Sequence, residues 1–560
     1  MRRRQALAQP PRPPSRQAMG HLREWSEGTA SSRQVLQHCW NAVADGECTH
    51  SMVHRISALY SDRATTGGLA HKLLKLLDDG GLCSPIVSTP GDVINCMASP
   101  YRLAQTLHSR YPEKFVTMMG LDENVIGDFW RGFLGEVDHR EFPGPPSLRH
   151  LEVGDPAWRR IVPIVLHEDA GPFAKGQSVN ILSWSSLLGA GGEKLAQLPI
   201  ASYIKEGGVS TALSPVQQGQ LWTPILQDFE RMLAEPIGGW RFLVVFFCKG
   251  DLEQRSVGWG LASYSAAQPC SQCCADRGGT SWTEFRSDAA WRATVLTTKA
   301  AYFARARQPL HPLMTSSFSW VYMFPPDLMH VCDCKGTAST LAGSVLLPLL
   351  YDPRLGATIE ARLLTLNTSL KAYYRAHPLL SRVPTIRQSN LTNEQGWATL
   401  VGQLVKAAAT RQLVPWLVEI ASAYYDDPDD EYSRLVGRIC RLKDSFYKQV
   451  YGAPILLSPE QRAELRRTVL RYGLTLQQLR EICRLRHQLR WQIPPKAHYM
   501  QHLVDLPINC RWCQCYSEEG HVGTMTKIWC RSAQGRYRNN AQKLVLLKRL
   551  TAMFIKCEGF

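Results

Sequence analysis

The stretch "GGWRFLVVFFCKGD", Gly238–Asp251, is apolar on both faces and ends in an acidic residue. A short apolar run rich in β-branched and aromatic residues predicts a strand that is buried on both sides, in the centre of a sheet. Three more strands are predicted before it, over Arg160–Asp169, Gln177–Trp184 and residues 198–207, followed by a helix over Val216–Glu235. This order of three strands, a helix and a buried strand predicts a mixed α/β core.

The overall composition sets the class of protein. The chain has 560 residues, of which 44% are hydrophobic and 20% are charged, as is typical of soluble globular proteins. Its formal net charge of +16 favours a polyanionic partner such as nucleic acid. The 17 cysteines, without a secretory signal, favour reduced thiols and metal ligation over a disulfide framework. No apolar run is long enough to predict a membrane span.

Changes in composition along the chain predict five regions. They are a disordered basic arm (1–30), a helical N-terminal accessory region (31–150), the first part of the core (155–260), a mostly helical insertion that contains Cys and His (261–490), and the last part of the core with an acidic helix and a basic C-terminal helix (491–560).

Three carboxylates lie where they can meet. Asp169 is predicted to end the first strand, Asp251 to end the buried strand, and Glu519 to open a helix near the C-terminus. If the two strands are neighbours, Asp169 and Asp251 come together, and close carboxylates bind divalent cations. The alternative is that all three are strand-end or capping carboxylates that face water, and spacing alone favours that alternative.

Cysteine pairs suggest a second kind of metal site. Cys270 and Cys273 form a C-x-x-C pair that can share one zinc ion, but a complete site needs two more ligands. The downstream candidates are His311 and, in the ligand-rich stretch "FPPDLMHVCDC", Asp327, His330, Cys332 and Cys334, and buried free thiols are the alternative. A further group near the C-terminus, "CRWCQC" (residues 510–515), is better explained as packed thiols.

Taken in order, four segments resemble a known family. They are the strand that carries Asp169, "CKGDLEQRSVGWGLASYSAAQPCSQC" (248–273), "FPPDLMHVCDCKGTASTLAGSVL" (324–346) and "HYMQHLVDLPINCRWCQCYSEEGHVG" (498–523). The series resembles the DDE/D transposases of cut-and-paste DNA elements, most closely the CACTA (En/Spm) group, over residues 155–345 and 490–535. The matching residues are Asp251, Gly258–Trp259, Cys270, Cys273, Asp327, His330, Gly343, His498, His502, Arg511–Trp512, Tyr516, Glu519 and Gly523.

The resemblance implies a ribonuclease H-like fold, in which helices flank a mixed five-stranded sheet and a helical insertion separates the second Asp from the Glu. It implies that Asp169, Asp251 and Glu519 bind two Mg²⁺ or Mn²⁺ ions for DNA strand cleavage and strand transfer. Gly523, four residues after Glu519, favours Glu519 over Glu518 as the third carboxylate. The Cys270–Cys273 pair with Asp327 and His330 is then a zinc-binding or structural element.

The implied partners are the transposon ends and the target DNA, bound by a homo-oligomer in the nucleus. Four arginines are candidates to follow the phosphate backbone, or alternatively form a solvated helix face: Arg480, Arg484, Arg486 and Arg490. Leu252–Gln254 replaces the aromatic residue and proline that the family usually has after the second Asp. Two other functions therefore stay open, a catalytically silent DNA- or chromatin-binding protein on the same scaffold, and an unrelated metal-dependent nuclease centred on Asp327 and His330.

Overall fold

The chain folds into a helix-rich mixed α/β structure around a four-stranded sheet. The computed structural model describes residues 16–27, 30–44, 56–59, 84–89, 91–137, 148, 150–152, 154–174, 177–189, 197–206, 212–379, 381–402, 406–532 and 538–557.

The described part of the chain has six strands: β1 (Ile86–Ser88), β2 (Cys96–Ala98), β3 (Ile161–Ala174), β4 (Gln177–Ser186), β5 (Leu198–Glu206) and β6 (Arg241–Lys249). β1 and β2 form a small antiparallel pair. The other four strands form the main sheet in the order β5-β4-β3-β6, where β4 is antiparallel to both neighbours and β6 is parallel to β3. All four strands of this sheet were predicted from the sequence.

The helices, in chain order, are α1 (Arg16–Ser26), α2 (Ser32–Ala44), α3 (Pro100–Arg110), α4 (Pro112–Met119), α5 (Glu123–Glu136), α6 (Pro215–Ala234), α7 (Lys299–Ala304), α8 (Pro312–Thr315), α9 (Thr337–Leu349), α10 (Ile359–Ala376), α11 (Ala407–Tyr424), α12 (Glu431–Gly452), α13 (Pro459–Leu485), α14 (Pro495–Leu503), α15 (Tyr516–Ser532) and α16 (Arg538–Cys557). Short 3₁₀ turns cover Pro156–Arg160, Ala290–Thr294, Pro353–Leu355, Gln388–Asn390 and Cys510–Cys513, and π-helical turns cover Gln254–Gly258 and Met329–Asp333.

Helices cover both faces of the main sheet. Alternate residues of a strand point to opposite faces, so Ile181 and Trp184 of β4 pack on different layers. Trp184 packs edge-on against Phe229 of α6, with ring centroids 6.0 Å apart. Ile181 shares a hydrophobic cluster with Met525 of α15 and Val545 of α16. Asp169 pairs with Ile181 across the strands, so it belongs to the face that α15 covers.

Two details of the predicted sheet are wrong. Asp169 does not end its strand, because β4 continues to pair with β3 as far as Ala174. The buried strand, β6, lies at the edge of the described sheet rather than in its centre. Helix α6 packs against β6. The expected fifth strand is not present among the described residues.

The segment before α15 is joined to the end of α12, because the Asn509 amide donates to the carbonyl oxygens of Val450 and Pro454.

The regions outside the sheet agree only in part with the prediction. α1 occupies Arg16–Ser26, so the prediction of a disordered arm over 1–30 is wrong there, and residues 1–15 lie outside the described part. The described residues of the accessory region contain α2–α5, and those of the insertion contain α7–α13. Buried residues of the accessory helices, the sheet and the insertion form one contiguous hydrophobic cluster. None of the helices in the described part is both long and apolar enough to cross a bilayer.

Candidate functional site

The register of two parallel strands brings Asp169 and Asp251 together. His167 of β3 is the Cα partner of Lys249 of β6, and each aspartate lies two residues beyond its member of that pair. Asp251 follows the end of its strand and accepts a hydrogen bond on Oδ1 from the Gln254 N–H at 2.6 Å. The two carboxylates therefore lie side by side at one edge of the sheet, as expected for neighbouring strands.

Helix α15 adds Glu519 to this edge from a distant part of the chain. Gly171 of β3 faces α15, and a Cβ at that position would lie 2.1 Å from Thr526 Oγ1. The absence of a side chain at Gly171 thus permits the close approach of α15 to β3. Glu519 lies in the first turn of α15, and its backbone N–H donates to the Cys515 carbonyl oxygen at 2.8 Å.

The three side chains Asp169, Asp251 and Glu519 form a carboxylate triad whose members act on one another. Burial raises the pKa of Asp169 well above its usual value, and the charges of Asp251 and Glu519 raise it further. Burial also raises the pKa of Glu519, with a smaller contribution in the same direction from Asp251. A divalent cation would relieve this repulsion, because it favours the charged form of each carboxylate.

Glu518, the competing carboxylate, is engaged elsewhere. Its side chain is 1% exposed and accepts a hydrogen bond from Lys249 Nζ at 2.8 Å. Gln197 Nε2 also donates to Glu518, at 3.2 Å. Burial alone would raise the pKa of Glu518, but the charges of Lys249 and His167 and the hydrogen bonds from Lys249 and Ser517 together outweigh burial and lower it. Glu519, and not Glu518, is therefore the carboxylate that faces Asp169.

We expect Lys249→Met to lower the free energy of unfolding by about 3–5 kcal/mol, because it leaves the Glu518 carboxylate buried without its cation. The double variant Lys249→Met/Glu518→Gln should recover most of that loss, as measured by chemical denaturation. Arg467→Ala, which breaks the exposed 2.5 Å pair with Glu464, should cost at most about 1 kcal/mol. Equal losses for the buried and the exposed pair would contradict this account.

Two buried side chains hold the segment around Asp251. Trp259 packs directly on Gly250, where a Cβ would lie 2.6 Å from the indole ring, and its Nε1 donates to Glu168 Oε2 at 3.0 Å. Arg255 donates through Nη2 to Ser271 Oγ at 2.8 Å and through Nη1 to the Phe324 carbonyl oxygen. The turn after Asp251 is thereby joined to the C-x-x-C segment and to the start of the "FPPDLMHVCDC" stretch.

Asp327 anchors the first turn of the helix that carries Glu519. Its side chain is 0% exposed, and Oδ1 accepts hydrogen bonds from the backbone N–H groups of Met329 and Cys515 at 3.1 and 3.0 Å. Oδ2 accepts from the backbone N–H of His330 at 3.1 Å and lies 2.5 Å from His330 Nδ1. Asp327 therefore acts on the N-terminus of α15 and does not join the cysteines.

His330 faces the carboxylate triad. Its Nε2 lies 3.9 Å from Glu519 Oε1, while Nδ1 is held by Asp327. Burial disfavours the charged imidazolium, but the hydrogen bond and charge of Asp327, with the charges of Asp251 and Glu519, outweigh burial and raise the pKa of His330. The predicted ligand set of Cys270, Cys273, Asp327 and His330 is therefore wrong, because its last two members lie on the triad side.

A second aspartate of the same stretch also contacts α15. Asp333 is completely buried and accepts hydrogen bonds from Tyr516 Oη at 2.6 Å and from Tyr447 Oη of α12. Burial raises the pKa of Asp333 to about 6, although both phenol hydrogen bonds act in the opposite direction. Asp327 and Asp333 thus both hydrogen-bond to the start of α15. The stretch "FPPDLMHVCDC" therefore positions the helix that carries Glu519.

The C-x-x-C pair has two histidine partners that the sequence prediction missed. Cys270, Cys273, His498 and His502 form a fully buried Cys–His cluster in which one ligand atom of each residue lies within 4.8 Å of all the others. Cys273 Sγ lies 3.2 Å from His498 Nε2, which in turn lies 3.1 Å from His502 Nε2. The spacing of the two histidines on α14, four residues apart, was the available signal, because it places both on one helix face.

The surroundings of the Cys–His cluster suit a metal ion. The backbone N–H of Gln272 donates to Cys270 Sγ at 3.3 Å, and that of Ala275 donates to Cys273 Sγ at 3.4 Å. Burial would raise the pKa of Cys270, but a hydrogen bond from Cys273 and the nearby histidines outweigh burial and lower it. Burial lowers the pKa of His498, which favours the neutral imidazole that binds metals. The donor set therefore fits a tetrahedral metal site.

The two candidate metal centres differ in compactness. Two compact groups of ligand atoms, each with all of its atoms within 4.8 Å of one another, occur in the described part of the chain. One is the Cys–His cluster, and the other is a surface set of His21, Glu24 and His38. The carboxylate triad is spaced more widely. A pair of divalent ions about 3.5–4 Å apart spans such a wider arrangement.

The remaining predicted ligands and arginines have other contacts. Cys510, Cys513 and Cys515 are buried and belong to no compact ligand group among the described residues. Of the four candidate arginines, Arg480 is half-buried, Arg484 forms an ion pair with Glu481 at 2.6 Å, and Arg486 and Arg490 lie over the Tyr432 ring. Their role towards DNA stays a prediction.

No protein-family model matches this chain, and a search of curated proteins gave no match.

Proposed function

We propose that this chain is a transposase-like enzyme of a cut-and-paste DNA element, which cleaves and joins DNA strands at Asp169, Asp251 and Glu519. The observation that carries the proposal is the convergence of these carboxylates, from three distant segments, at one edge of the sheet. Three antiparallel strands, a crossover helix and a parallel strand also support a ribonuclease H-like core. The resemblance of the ordered motifs supplies the substrate class.

The triad suits a pair of Mg²⁺ or Mn²⁺ ions, which would activate the attacking oxygen and stabilise the leaving oxygen of a phosphodiester. Within the described ranges, no Lys or Arg lies within 4.0 Å of a triad carboxylate oxygen. Lys249, the nearest candidate on β6, is instead paired with Glu518. This arrangement favours an enzyme over a silent scaffold in which a cation blocks the carboxylates.

A nuclease centred on Asp327 and His330 is less well supported. Each of the two carboxylate oxygens of Asp327 already accepts two hydrogen bonds from the protein, and the side chain is fully buried. A metal ion would have to displace those hydrogen bonds. Asp327 and His330 are better understood as residues that position Glu519.

A cleavage assay with the full-length protein tests the proposed function. Supercoiled plasmid and duplexes that carry the ends of the parent element would be incubated with Mg²⁺ or Mn²⁺, and with EDTA or Ca²⁺ as controls. We expect strand breaks with exposed 3′-hydroxyl ends, followed by joined products, with Mg²⁺ or Mn²⁺ only. Tight DNA binding without cleavage under either metal would instead support the silent scaffold.

We expect Asp327→Asn to lower cleavage by about 10–100-fold, the usual cost of losing a residue that orients a metal ligand. Asparagine keeps the oxygen that accepts from Cys515, but its amide cannot accept from His330. Mn²⁺ binding, measured by electron paramagnetic resonance, should weaken in parallel. If Asp327→Asn binds Mn²⁺ and cleaves DNA like the wild type, Asp327 does not position Glu519.

We further propose that the Cys–His cluster binds zinc as a structural ion. Two cysteines and two histidines are a zinc donor set, and all four side chains are at most 4% exposed, which leaves no open position for substrate. Cys270 and Cys273 lie at the start of the insertion and His498 and His502 follow its end, so the ion would hold the two ends together.

A further inference from the structure

The turn after His330 carries a lysine in an unusual backbone conformation. Lys335 has a φ of 47°, in the left-handed region that long side chains rarely adopt. The next residue is Gly336, where a Cβ would lie 2.5 Å from backbone atoms of Val331 and Cys332, so the turn is too tight for a side chain there. Backbone strain of this kind persists only where neighbouring structure holds it, and it is concentrated at functional sites.

A second lysine holds this turn. Lys496 of α14 donates hydrogen bonds through Nζ to the carbonyl oxygens of Cys334 and Lys335, each at 3.0 Å. Lys496 is half-buried, whereas Lys335 is exposed. Within the described residues, Lys335 has no acidic group within salt-bridge distance. One ammonium group thus fixes the backbone of the turn, and the other is presented to solvent.

The turn follows the histidine that faces the carboxylate triad. His330 Nε2 lies 3.9 Å from Glu519 Oε1. Lys335 comes five residues after His330, in the turn that joins the π-helical segment Met329–Asp333 to α9. The exposed Lys335 therefore belongs to the same short segment as a residue in contact with the triad.

A nucleic-acid strand that reaches the triad brings phosphate charges towards three carboxylates. Cations beside the site are needed to offset that repulsion, and lysine binds phosphate as a point charge. We infer that Lys335 binds a backbone phosphate of the DNA strand beside the scissile bond, in a position fixed by the contact of Lys496 with its turn. This inference rests on the proposed function, because it assumes that DNA is the substrate of the triad.

The test compares Lys335→Ala, Lys335→Arg and Lys335→Gly with Lys448→Ala, which removes an exposed lysine paired with Asp444 at 2.7 Å. Affinity for a DNA duplex would be measured by fluorescence anisotropy in Ca²⁺ over a range of salt concentrations. The slope of log K against log salt should fall in magnitude by about 1 for Lys335→Ala and Lys335→Gly. Lys335→Arg and Lys448→Ala should keep the wild-type slope.

The glycine variant separates charge from folding, because glycine adopts a positive φ without strain. Mn²⁺ binding by the triad should be unchanged in all four variants. Two results would overturn the phosphate contact while the proposed function stands, provided that the wild type cleaves DNA. One is a Lys335→Ala variant with the wild-type salt slope, and the other is a Lys448→Ala variant whose salt slope falls as much as that of Lys335→Ala. A wild type that neither binds nor cleaves DNA would overturn both.

Discussion

The Asp251→Asn variant is expected to lose Mg²⁺- and Mn²⁺-dependent DNA cleavage by more than about 100-fold, since residues that only orient metal ligands already account for up to that factor. Asparagine keeps the side-chain oxygen that accepts from the Gln254 N–H at 2.6 Å, so the turn after β6 should survive. The variant loses the negative charge that attracts the metal ions. Its cleavage rate and its Mn²⁺ affinity should therefore fall together, while its melting temperature stays near that of the wild type.

Asp276→Asn is a matched control for this variant. Asp276 also caps a turn, through Oδ1 contacts with the N–H groups of Gly278 and Thr280 at 2.8 and 3.0 Å, but it is not part of the triad. The control should cleave DNA at the wild-type rate. Cleavage by Asp251→Asn within a few-fold of that rate would remove Asp251 from the catalytic centre.

Cys273→Ser is expected to abolish stoichiometric zinc binding and to destabilise the fold. Zinc-finger peptides gain about 10–16 kcal/mol of apparent free energy from their ion, so a fraction of that is comparable with the whole stability of a domain. The wild type should contain one zinc per chain by elemental mass spectrometry, and chelation should lower its melting temperature. The melting temperature of the variant should equal that of the chelator-treated wild type, and chelator should not lower it further.

Cys513→Ser provides the comparison for zinc binding. Cys513 is equally buried and belongs to a second C-x-x-C pair, but it lies outside the Cys–His cluster. Its zinc content should match that of the wild type, with a loss of stability of about 1 kcal/mol that is typical of a buried substitution. If Cys273→Ser retains one zinc per chain, the Cys–His cluster is not the zinc site.

The strands could be predicted because their signals are local, whereas the triad was assigned from the resemblance. β3–β6 show as apolar or alternating runs, and Asp251 follows directly after such a run. Strand patterns alone did not place β3 beside β6, and that placement followed only from the resemblance. The end of β3 was misplaced because its acidic residues, Glu168 and Asp169, lie inside a strand, where Glu168 accepts hydrogen bonds from buried Trp259 and Tyr203.

The ligand partners could not be predicted because they depend on long-range contacts. Cys273 and His498 are 225 residues apart, while Asp327 and His330 are nearer to the cysteines in sequence. Proximity along the chain therefore favoured the wrong pair. The hydrogen bond from the Cys515 N–H to Asp327, which spans 188 residues, turns that aspartate towards α15 instead.

The position of the Cys–His cluster at both ends of the insertion also sets the entropic cost of closing the insertion into a loop. Bringing together the ends of a loop of 225 residues (498 − 273) costs about 5 kcal/mol of free energy at 25 °C in the chain-entropy model. That cost depends only weakly on loop length, since doubling the loop changes it by about 0.6 kcal/mol. Insertions of very different length could thus be accommodated between β6 and α15 while the triad keeps its geometry.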